Sequence, residues 1–207
     1  MSQNVGGRAG ADASRAATEQ DLPALSACLS SAFFADPVWG GWAFLDPARR
    51  PESLAALMGF WAAVAVRHGW VRMTPGAETV AVWIPPNEPE MTAEEEVSFD
   101  ELLDRLFAGR AGELRALFEQ FEEHHPSSPH FYLSLWGTDR EYAGRGLGAG
   151  LIRENLARID AAGMPSYLES TNPANLPRYE ALGFVPRSEF GPPGGPVITT
   201  MWREPAG

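Results

Sequence analysis

Apolar positions along the first half of the chain recur at helical intervals in some stretches and in short strand-like runs in others. The helical stretches end where proline or glycine follows, as at Asp36 and Pro37. Two strand-like runs separated by Pro75 and Gly76 predict a hairpin. The predicted elements are an edge strand at residues 13–18, helices at 19–34 and 52–68, strands at 70–73 and 79–84, and an acidic helical segment within 86–128.

The second half begins with a strongly apolar, aromatic run that predicts a central strand. A glycine cluster separates this run from a helical pattern that ends at Gly163, with Pro165 just beyond it. The predicted elements are a strand at 130–136, helices at 147–162 and 172–182, and strands at 166–170, 184–190 and 197–203. Because strands and helices follow one another in mixed order, the pattern predicts an α/β domain of the α+β kind.

The composition is that of a folded, acidic protein. The chain has 207 residues, of which 44% are hydrophobic and 21% charged, which suits one packed domain. The sequence therefore predicts a flexible tail at residues 1–10 and a single domain over 11–207. The net charge of -11 repels polyanions, so nucleic acid is not an expected partner. The longest apolar run, residues 54–66, is shorter than the roughly 20 residues that span a bilayer, so no membrane partner is expected.

Three residue counts narrow the chemistry and the expected location. All 16 Lys and Arg positions are arginine, which excludes Schiff-base chemistry and the phosphate-binding lysine of a P-loop. The single cysteine, Cys28, cannot form an internal disulfide, and the first residues lack an apolar signal-peptide core. A cytoplasmic location is therefore expected. One cysteine and scattered histidines do not supply a metal site, so no metal is expected.

The glycine cluster has the composition of an anion-binding loop. Gly144, Gly146 and Gly148 lie between a predicted strand and a predicted helix, where several backbone N–H groups can point at one anion. Arg145 adds a cation to the loop. A plain glycine-rich turn is one alternative. A dinucleotide-binding loop, with Glu169 on the ribose, is another, but residues 137–143 separate the strand from the glycines, and that fold needs more parallel strands than follow here.

The order of motifs in the second half resembles that of the GNAT superfamily of N-acetyltransferases. That superfamily places a strand, a Gln/Arg-x-x-Gly-x-Gly/Ala loop, a helix, a second strand and an Asn-containing helix with Tyr ahead of Gly-Phe. This chain has LSLWGT at 133–138, AGRGLG at 143–148, YLES at 167–170, NPAN at 172–175 and YEALGF at 179–184. Ala143 departs from the pattern, which has Gln or Arg there. Within the superfamily, the run at 167–184 is most similar to puromycin N-acetyltransferases.

The resemblance implies a GNAT-type twisted, mostly antiparallel sheet with helices on both faces and a V-shaped splay between two central parallel strands. It also implies acetyl-CoA as the acetyl donor, with its pantetheine arm pairing with the splayed strand edge and its pyrophosphate on the loop amides. A β-bulge near Trp136 would direct a backbone N–H at the thioester oxygen. The residues expected to bind the donor are Trp136, Gly137, Thr138, Ala143, Gly144, Arg145, Gly146, Leu147, Gly148, Asn172 and Asn175.

Two side chains are candidates for proton transfer. Tyr179 shares a helical face with the asparagine four residues before it, and the resemblance implies that its phenol protonates the departing thiolate. Glu169 ends a strand beside the expected cleft and is the leading candidate for the base, although binding or orienting the substrate is an equally open role. His130 is a weaker alternative for the base. His124 and His125 end an acidic helix, where charge interaction with the helix C-terminus explains them.

The predicted function is therefore acetyl-CoA-dependent N-acetyl transfer, made directly to the amine of a small molecule such as an aminonucleoside-like antibiotic or a metabolite. The family builds its acceptor pocket from the first two helices and their connection, which points to Phe33, Phe34, Asp36 and Trp39. A non-catalytic acyl-CoA-binding sensor or scaffold of the same fold is the main alternative. An NAD-binding Rossmann-type enzyme is less favoured, and a homodimer remains open.

Overall fold

The computed structural model of the protein describes residues 14–206. The predicted tail at 1–10 and the start of the domain at residue 11 lie outside this range. The strands are β1 (Arg15–Ala16), β2 (Val71–Met73), β3 (Thr79–Ile84), β4 (Phe131–Thr138), β5 (Ser166–Ser170), β6 (Val185–Phe190) and β7 (Ile198–Arg203). The α-helices are α1 (Leu22–Phe33), α2 (Arg50–Val66), α3 (Ala93–Leu106), α4 (Ala111–His124), α5 (Leu147–Ala161) and α6 (Leu176–Glu180). No α-helix within the described range combines the length and hydropathy needed to cross a bilayer.

The seven described strands form one open sheet in the order β1-β2-β3-β4-β5-β7-β6. Strands β4 and β5 pair in parallel, and every other neighbouring pair among the described strands is antiparallel. The predicted mixed, mostly antiparallel sheet is therefore confirmed. A dinucleotide-binding fold requires successive parallel strands linked by crossover helices, so this topology excludes the Rossmann-type alternative.

Strands β4 and β5 pair at one end and then separate. Phe131 faces Ser166 and Tyr132 faces Tyr167, whereas β4 continues to Thr138 with no further β5 partner. Backbone polar groups along an unpaired strand edge need another partner, and an extended ligand can supply it. The separation is the V-shaped splay that the resemblance implies.

A β-bulge at Ser134 changes which face of the sheet the β4 side chains occupy. The register against β3 skips Ser134, because Trp83 pairs with Leu133 and the residue before Trp83 pairs with Leu135. Leu133 packs in the core cluster on the α5 side, whereas Leu135 packs in the cluster on the α1 and α2 side. The bulge thus lies two positions before Trp136, near the place where one was expected.

Helices cover both faces of the sheet. Leu29 of α1 and Leu57 of α2 are fully buried in the core cluster of one face, which α3 and α4 extend through Phe99 and Leu117. Ile152 of α5 is fully buried in the cluster of the opposite face. The acidic segment predicted within 86–128 therefore supplies two helices that close the α1 side of the molecule, and these helices wall the cavities described below.

The connection from α1 to α2 contains a helical segment that the sequence pattern did not predict. Residues Pro37–Ala43 form a wide, π-type helix. The Asp36 carboxylate caps it by accepting hydrogen bonds from two backbone amides at 2.9 Å each. Gly40 packs so closely on the end of α1 that a Cβ would collide with the carbonyl of Phe34. Asp36 therefore ends one helix and begins another.

Candidate active site

The glycine loop before α5 leaves its backbone amides without protein partners. Gly144 and Gly146 both have φ of 79°, a conformation that favours glycine, and a Cβ at either position would meet no atom within 4 Å. Among the described residues, no backbone carbonyl or capping side chain accepts a hydrogen bond from the amides of residues 144–148. The loop also begins a fifteen-residue helix, whose N-terminus carries partial positive charge. These donors beside open space form a geometry suited to a phosphate-bearing ligand.

Gly148 has a different reason for being glycine. A Cβ at this position would lie 2.7 Å from Thr138 Oγ1 and 3.1 Å from Trp136 Nε1. The Thr138 hydroxyl donates to Thr79 Oγ1 at 2.9 Å, so it is held in place. The close approach of α5 to β4 therefore depends on the missing side chain.

Two other residues of the loop already have partners in the protein. The Ala143 amide donates to the carbonyl of Arg140 at 3.3 Å. The exposed Arg145 guanidinium donates to the Glu141 carbonyl at 3.0 Å and lies 4.9 Å from the centre of the Tyr142 ring. Ala143 lines the adjacent cavity, whereas Arg145 is not among its lining residues. Donors to an anion at this loop are therefore main-chain amides rather than the Arg145 side chain.

Three neighbouring cavities follow the splay. The loop cavity, of about 460 Å³, lies between the glycine loop, the end of β4 and the start of α6. The central cavity, of about 420 Å³, lies between the α1–α2 connection, α3, α4 and the splayed strands. The rear cavity, of about 550 Å³, is bounded by residues 84–91 and 125–130.

Shared lining residues place the three cavities in a row. The loop and central cavities share Phe33, Asp36, Trp136, Asn175 and Tyr179. The central and rear cavities share Glu90, Met91, Glu96, Phe121, Glu122, Tyr132 and Glu169. A ligand in the loop cavity and a second ligand in the central cavity would therefore meet at the first of these two boundaries.

Tyr179 stands at the boundary between the loop and central cavities. Its ring packs edge to face with Trp136, at 5.6 Å between ring centres, and with Phe184, at 6.2 Å. Burial raises the pKa of the Tyr179 phenol, while Arg178 lowers it and Asp36 raises it by smaller amounts. The phenol therefore stays protonated at neutral pH and can donate a proton.

The two asparagines near Tyr179 differ in their contacts. The Asn172 side chain accepts a hydrogen bond from the Ala174 amide at 3.0 Å, which caps the short turn before α6, and the residue lines the loop cavity. Asn175 lines both the loop and central cavities, as Tyr179 does. Asn175 and Tyr179, four positions apart, thus present one helical face to both cavities.

The residues predicted to bind the acceptor are only partly brought together. Phe33, Asp36 and Trp39 line the central cavity. Phe34 is not part of that wall. Its ring instead contacts the guanidinium groups of Arg50 and Arg140, which lie 5.1 and 4.6 Å from the ring centre.

Asp36 shapes the cavity wall through hydrogen bonds, and Trp39 shapes it through packing. The second carboxylate oxygen of Asp36 accepts a hydrogen bond from Thr171 Oγ1 at 2.8 Å, so Asp36 ties the α1–α2 connection to the end of β5. Burial raises the pKa of Asp36, although its hydrogen bonds lower it in part. Trp39 packs against Trp61 and Phe118, with ring centres 5.3 and 5.9 Å away. The central cavity therefore has an aromatic wall.

Glu169 lies at the boundary between the central and rear cavities. Its side chain is 3% exposed, and within residues 14–206 its Oε1 atom has no hydrogen-bond partner. His125 Nδ1 lies 3.9 Å from this oxygen, beyond hydrogen-bonding distance. A buried carboxylate oxygen without a donor is costly, so this atom is suited to contact a ligand that carries an N–H group or a positive charge.

The groups around Glu169 were missed by the sequence analysis. Glu90 accepts a hydrogen bond from Ser134 Oγ, the residue of the β-bulge, at 2.9 Å. Burial raises the pKa of Glu90, Ser134 lowers it, and the Glu169 carboxylate raises it again. Burial and these two carboxylates also raise the pKa of Tyr132. Glu90 gave no signal in the sequence beyond its place at the start of the acidic stretch.

The histidines near this boundary have unequal positions. His130 Nδ1 donates a hydrogen bond to the Ser128 carbonyl at 2.6 Å, and burial lowers the pKa of His130. It lines the rear cavity and is not part of the central cavity wall. His125 lies at the end of α4, as the sequence indicated, and also packs beside Tyr132, with ring centres 4.9 Å apart. In the described part of the chain, no group of three or more His, Cys, Asp or Glu side chains is arranged to hold a metal ion.

The chain is similar in structure to several solved acetyltransferases. No protein-family model matches the sequence. The chain is 25% identical to histone acetyltransferase HPA2 and related acetyltransferase of Corynebacterium glutamicum, with a TM-score of 0.63 over 94% of this chain and 96% of that one. It is 16% identical to the Drosophila melanogaster polyamine N-acetyltransferase, with a TM-score of 0.61 over 93% and 99%. It is 15% identical to the Escherichia coli ribosomal-protein-S18-alanine N-acetyltransferase, with a TM-score of 0.51 over 94% of each chain.

These similarities extend over nearly the whole of each chain. The fold is therefore that of the GNAT acetyltransferases, as the order of motifs in the sequence implied. The similar structures with named activities include N-acetyltransferases for a polyamine and for a ribosomal protein. The closer similarity to puromycin N-acetyltransferases stays a prediction.

Proposed function

We propose that this chain is an acetyl-CoA-dependent N-acetyltransferase that moves an acetyl group directly to the amine of a small molecule. The observation that carries the proposal is the position of Tyr179 at the boundary between the loop cavity and the central cavity. A proton donor is needed where a donor ligand and an acceptor ligand meet, and this phenol stays protonated there. The fold shared with acetyltransferases supports the same reaction class.

The residues of the loop cavity suit acetyl-CoA. The amides of residues 144–148 would hold its pyrophosphate, since they have no acceptors in the described protein and lie at a helix N-terminus. The unpaired edge of β4 beyond Tyr132 would pair with the amides of the pantetheine arm, with Asn175 alongside. When bound, acetyl-CoA supplies an acetyl group activated as a thioester.

The chain's own groups would then manage the protons and the developing charge. An ammonium must lose a proton before its nitrogen can attack, and Glu169 Oε1 is the group that would accept it, directly or through water. The Tyr179 phenol would donate its proton to the departing sulfur, and the second proton that the nitrogen loses as the amide forms would restore the phenol. A backbone N–H of β4, at Trp136 or Gly137, would donate to the thioester oxygen as negative charge grows there. No covalent enzyme intermediate is required.

The acceptor is proposed to be a small amine held against the aromatic wall of the central cavity. An aminonucleoside-like compound follows from the sequence resemblance, and the rings of Phe33 and Trp39 in the wall support it. Some solved structures with the same fold are named for polyamine and agmatine acetylation, so aliphatic amines belong in the same panel.

The donor site is tested by a pair of matched glycine substitutions. Gly146 and Gly163 have φ of 79° and 66°, and a Cβ at either would meet no atom within 4 Å, but only Gly146 lines the loop cavity. Gly146→Ala and Gly163→Ala should therefore lose similar stability, because both force alanine into the left-handed region. Acetyl-CoA affinity, measured by calorimetry, should fall at least tenfold in Gly146→Ala and stay near the wild-type value in Gly163→Ala.

Two outcomes would count against the proposal. Equal acetyl-CoA affinity in the two variants would remove the glycine loop as the donor site. Tight acetyl-CoA binding without thiol release over a broad amine panel would instead favour the non-catalytic sensor or scaffold. Thiol release from acetyl-CoA with any amine of the panel, lost in Gly146→Ala, supports the enzyme.

A further inference from the structure

The boundary between the central and rear cavities carries more carboxylates than the proposed reaction needs. Glu90, Glu96, Glu122 and Glu169 line both cavities, and the reaction assigns a role to Glu169 alone. Glu90 and Glu169 are half-buried residues, with the Glu169 side chain only 3% exposed, and Glu122 is exposed, so the acidic groups extend from the interior to the surface. A chain of carboxylates of this kind attracts cations along its length.

The unpaired oxygen of Glu169 indicates that this boundary is a place for a ligand. The side chain is 3% exposed, and Oε1 has no hydrogen-bond donor within the described range. Burial and the charge of Glu169 together raise the pKa of Glu90. A cationic ligand with several N–H donors relieves both unfavourable features, because it supplies hydrogen bonds and offsets the repulsion between the carboxylates.

The surrounding charges leave the boundary strongly acidic. The rear cavity adds Glu88 to its wall, and its described lining residues include no arginine. Arg115 lines the central cavity, but it is paired with Asp100 at 2.5 Å and with Asp104 at 2.8 Å. Arg67 donates to the backbone carbonyl of Glu90 at 2.9 Å, but its ion pair is with Glu95. Among the described residues no arginine pairs with the carboxylate of Glu90 or Glu122, so the neighbouring histidines, when protonated, are the protein cations that compete there.

Apolar and aromatic surface accompanies the carboxylates. Tyr132, Phe121 and Met91 line both cavities beside the acidic groups. Aromatic faces attract ammonium groups, and an alkyl chain gains by packing on such surface. The boundary therefore complements a linear polyamine. Its carboxylates match the separated positive charges, and its apolar surface matches the methylene chain between them.

Resting on the proposed function, we propose that this boundary binds a second, non-reacting ammonium group of the acceptor, so that the preferred acceptor is a linear diamine or a longer polyamine. Glu90 and Glu122 hold the second ammonium, while Glu169 faces the amine that reacts. An aminonucleoside with one ammonium would leave the Glu90 subsite without its cation.

The subsite is tested by comparing two amines that differ in one charge. Calorimetry measures binding of butane-1,4-diamine and of butylamine to the protein, with and without CoA. Wild-type protein should bind the diamine roughly 30-fold or more tightly than the monoamine, the scale expected for a charge pair that is partly desolvated. Glu90→Gln should remove most of that preference while leaving butylamine affinity within about threefold, because the amide keeps the shape of the side chain.

A control and a second variant guard against trivial effects. Glu101→Gln changes the net charge by the same amount at an exposed position of α3 that lines none of the three cavities, so it should keep the preference. Glu122→Gln alters an exposed helix position, so it should keep the stability of the fold, and it should lower the preference by a smaller factor. The preference should also shrink as ionic strength rises.

The results distinguish this subsite from the proposed function. Equal affinity for the two amines, no diamine binding with or without CoA, tighter binding of an aminonucleoside, or an unchanged preference in Glu90→Gln would each overturn the subsite. A diamine preference that depends on Glu90, in a protein that does not bind acetyl-CoA, would uphold the subsite and reject the acetyltransferase.

Discussion

The two ends of the cavity row are built in different ways. At the loop end, donors come from the main chain of consecutive residues, 144–148, held by local backbone conformation. At the far end, the acidic groups are side chains from separate elements: Glu90 from the β3–α3 connection, Glu122 from α4 and Glu169 from β5. A main-chain site suits a ligand that many proteins share, whereas a side-chain site can change with the substrate. This difference agrees with the proposal that the loop end binds the donor and the far end selects the acceptor.

The largest expected effect is at Tyr179, which stands at the boundary between the loop and central cavities. Tyr179→Phe should lower kcat about 100-fold, because it removes the proton donor to the departing sulfur. Acetyl-CoA and amine affinities should change by less than about threefold, since the ring packing on Trp136 is kept. Tyr142→Phe is the matched control, because Tyr142 also lines the loop cavity but is absent from the central cavity wall. Equal kcat in the two variants would assign the acid to another group.

A smaller effect is expected at Asp36, which borders both cavities. Asp36→Ala should lower the free energy of unfolding by about 2 kcal/mol, because two backbone amides and the Thr171 hydroxyl lose their acceptor. Denaturant unfolding measures the change. A loss below about 0.5 kcal/mol would show that the helix after α1 does not depend on this cap.

Asp36→Asn separates the charge of this residue from its hydrogen bonds. Burial raises the pKa of Asp36, so just above the unfolded carboxyl value of about 3.9 the native state binds more protons than the unfolded chain. The contribution of Asp36 to stability is therefore fully present below about pH 3.9 and declines as the pH rises through the folded pKa. The Asn variant should lack that decline. Parallel pH profiles of unfolding for the two proteins would contradict this account.

The smallest effect is expected from the one cation in the glycine loop. Arg145→Ala should weaken acetyl-CoA binding by about threefold or less, because the side chain is exposed and already contacts the Glu141 carbonyl and the Tyr142 ring. Calorimetry at low and moderate salt measures the change. A tenfold or larger loss would mean that a side chain, and not the main chain alone, determines binding at the loop end.

Local sequence signals were sufficient to predict the loop end. Gly144 and Gly146 need left-handed backbone, which glycine adopts readily, and their place between a strand and a helix is legible from apolar spacing. The four-residue separation of Asn175 and Tyr179 likewise predicts a shared face on any helix. By contrast, nothing in the local pattern predicted the π-type helix at Pro37–Ala43, whose form depends on how Gly40 meets the end of α1.

The sequence by itself determined the order of elements, the class of fold and the glycine loop, because these follow from periodicity, backbone preference and neighbouring residues. Tertiary structure alone decided that Glu90, Tyr132 and Glu169 meet at one boundary and that Phe34 is not part of the central cavity wall. The β-bulge at Ser134 illustrates the reason. One extra residue in a strand changes which face every later side chain occupies, and long-range packing fixes the place of that residue.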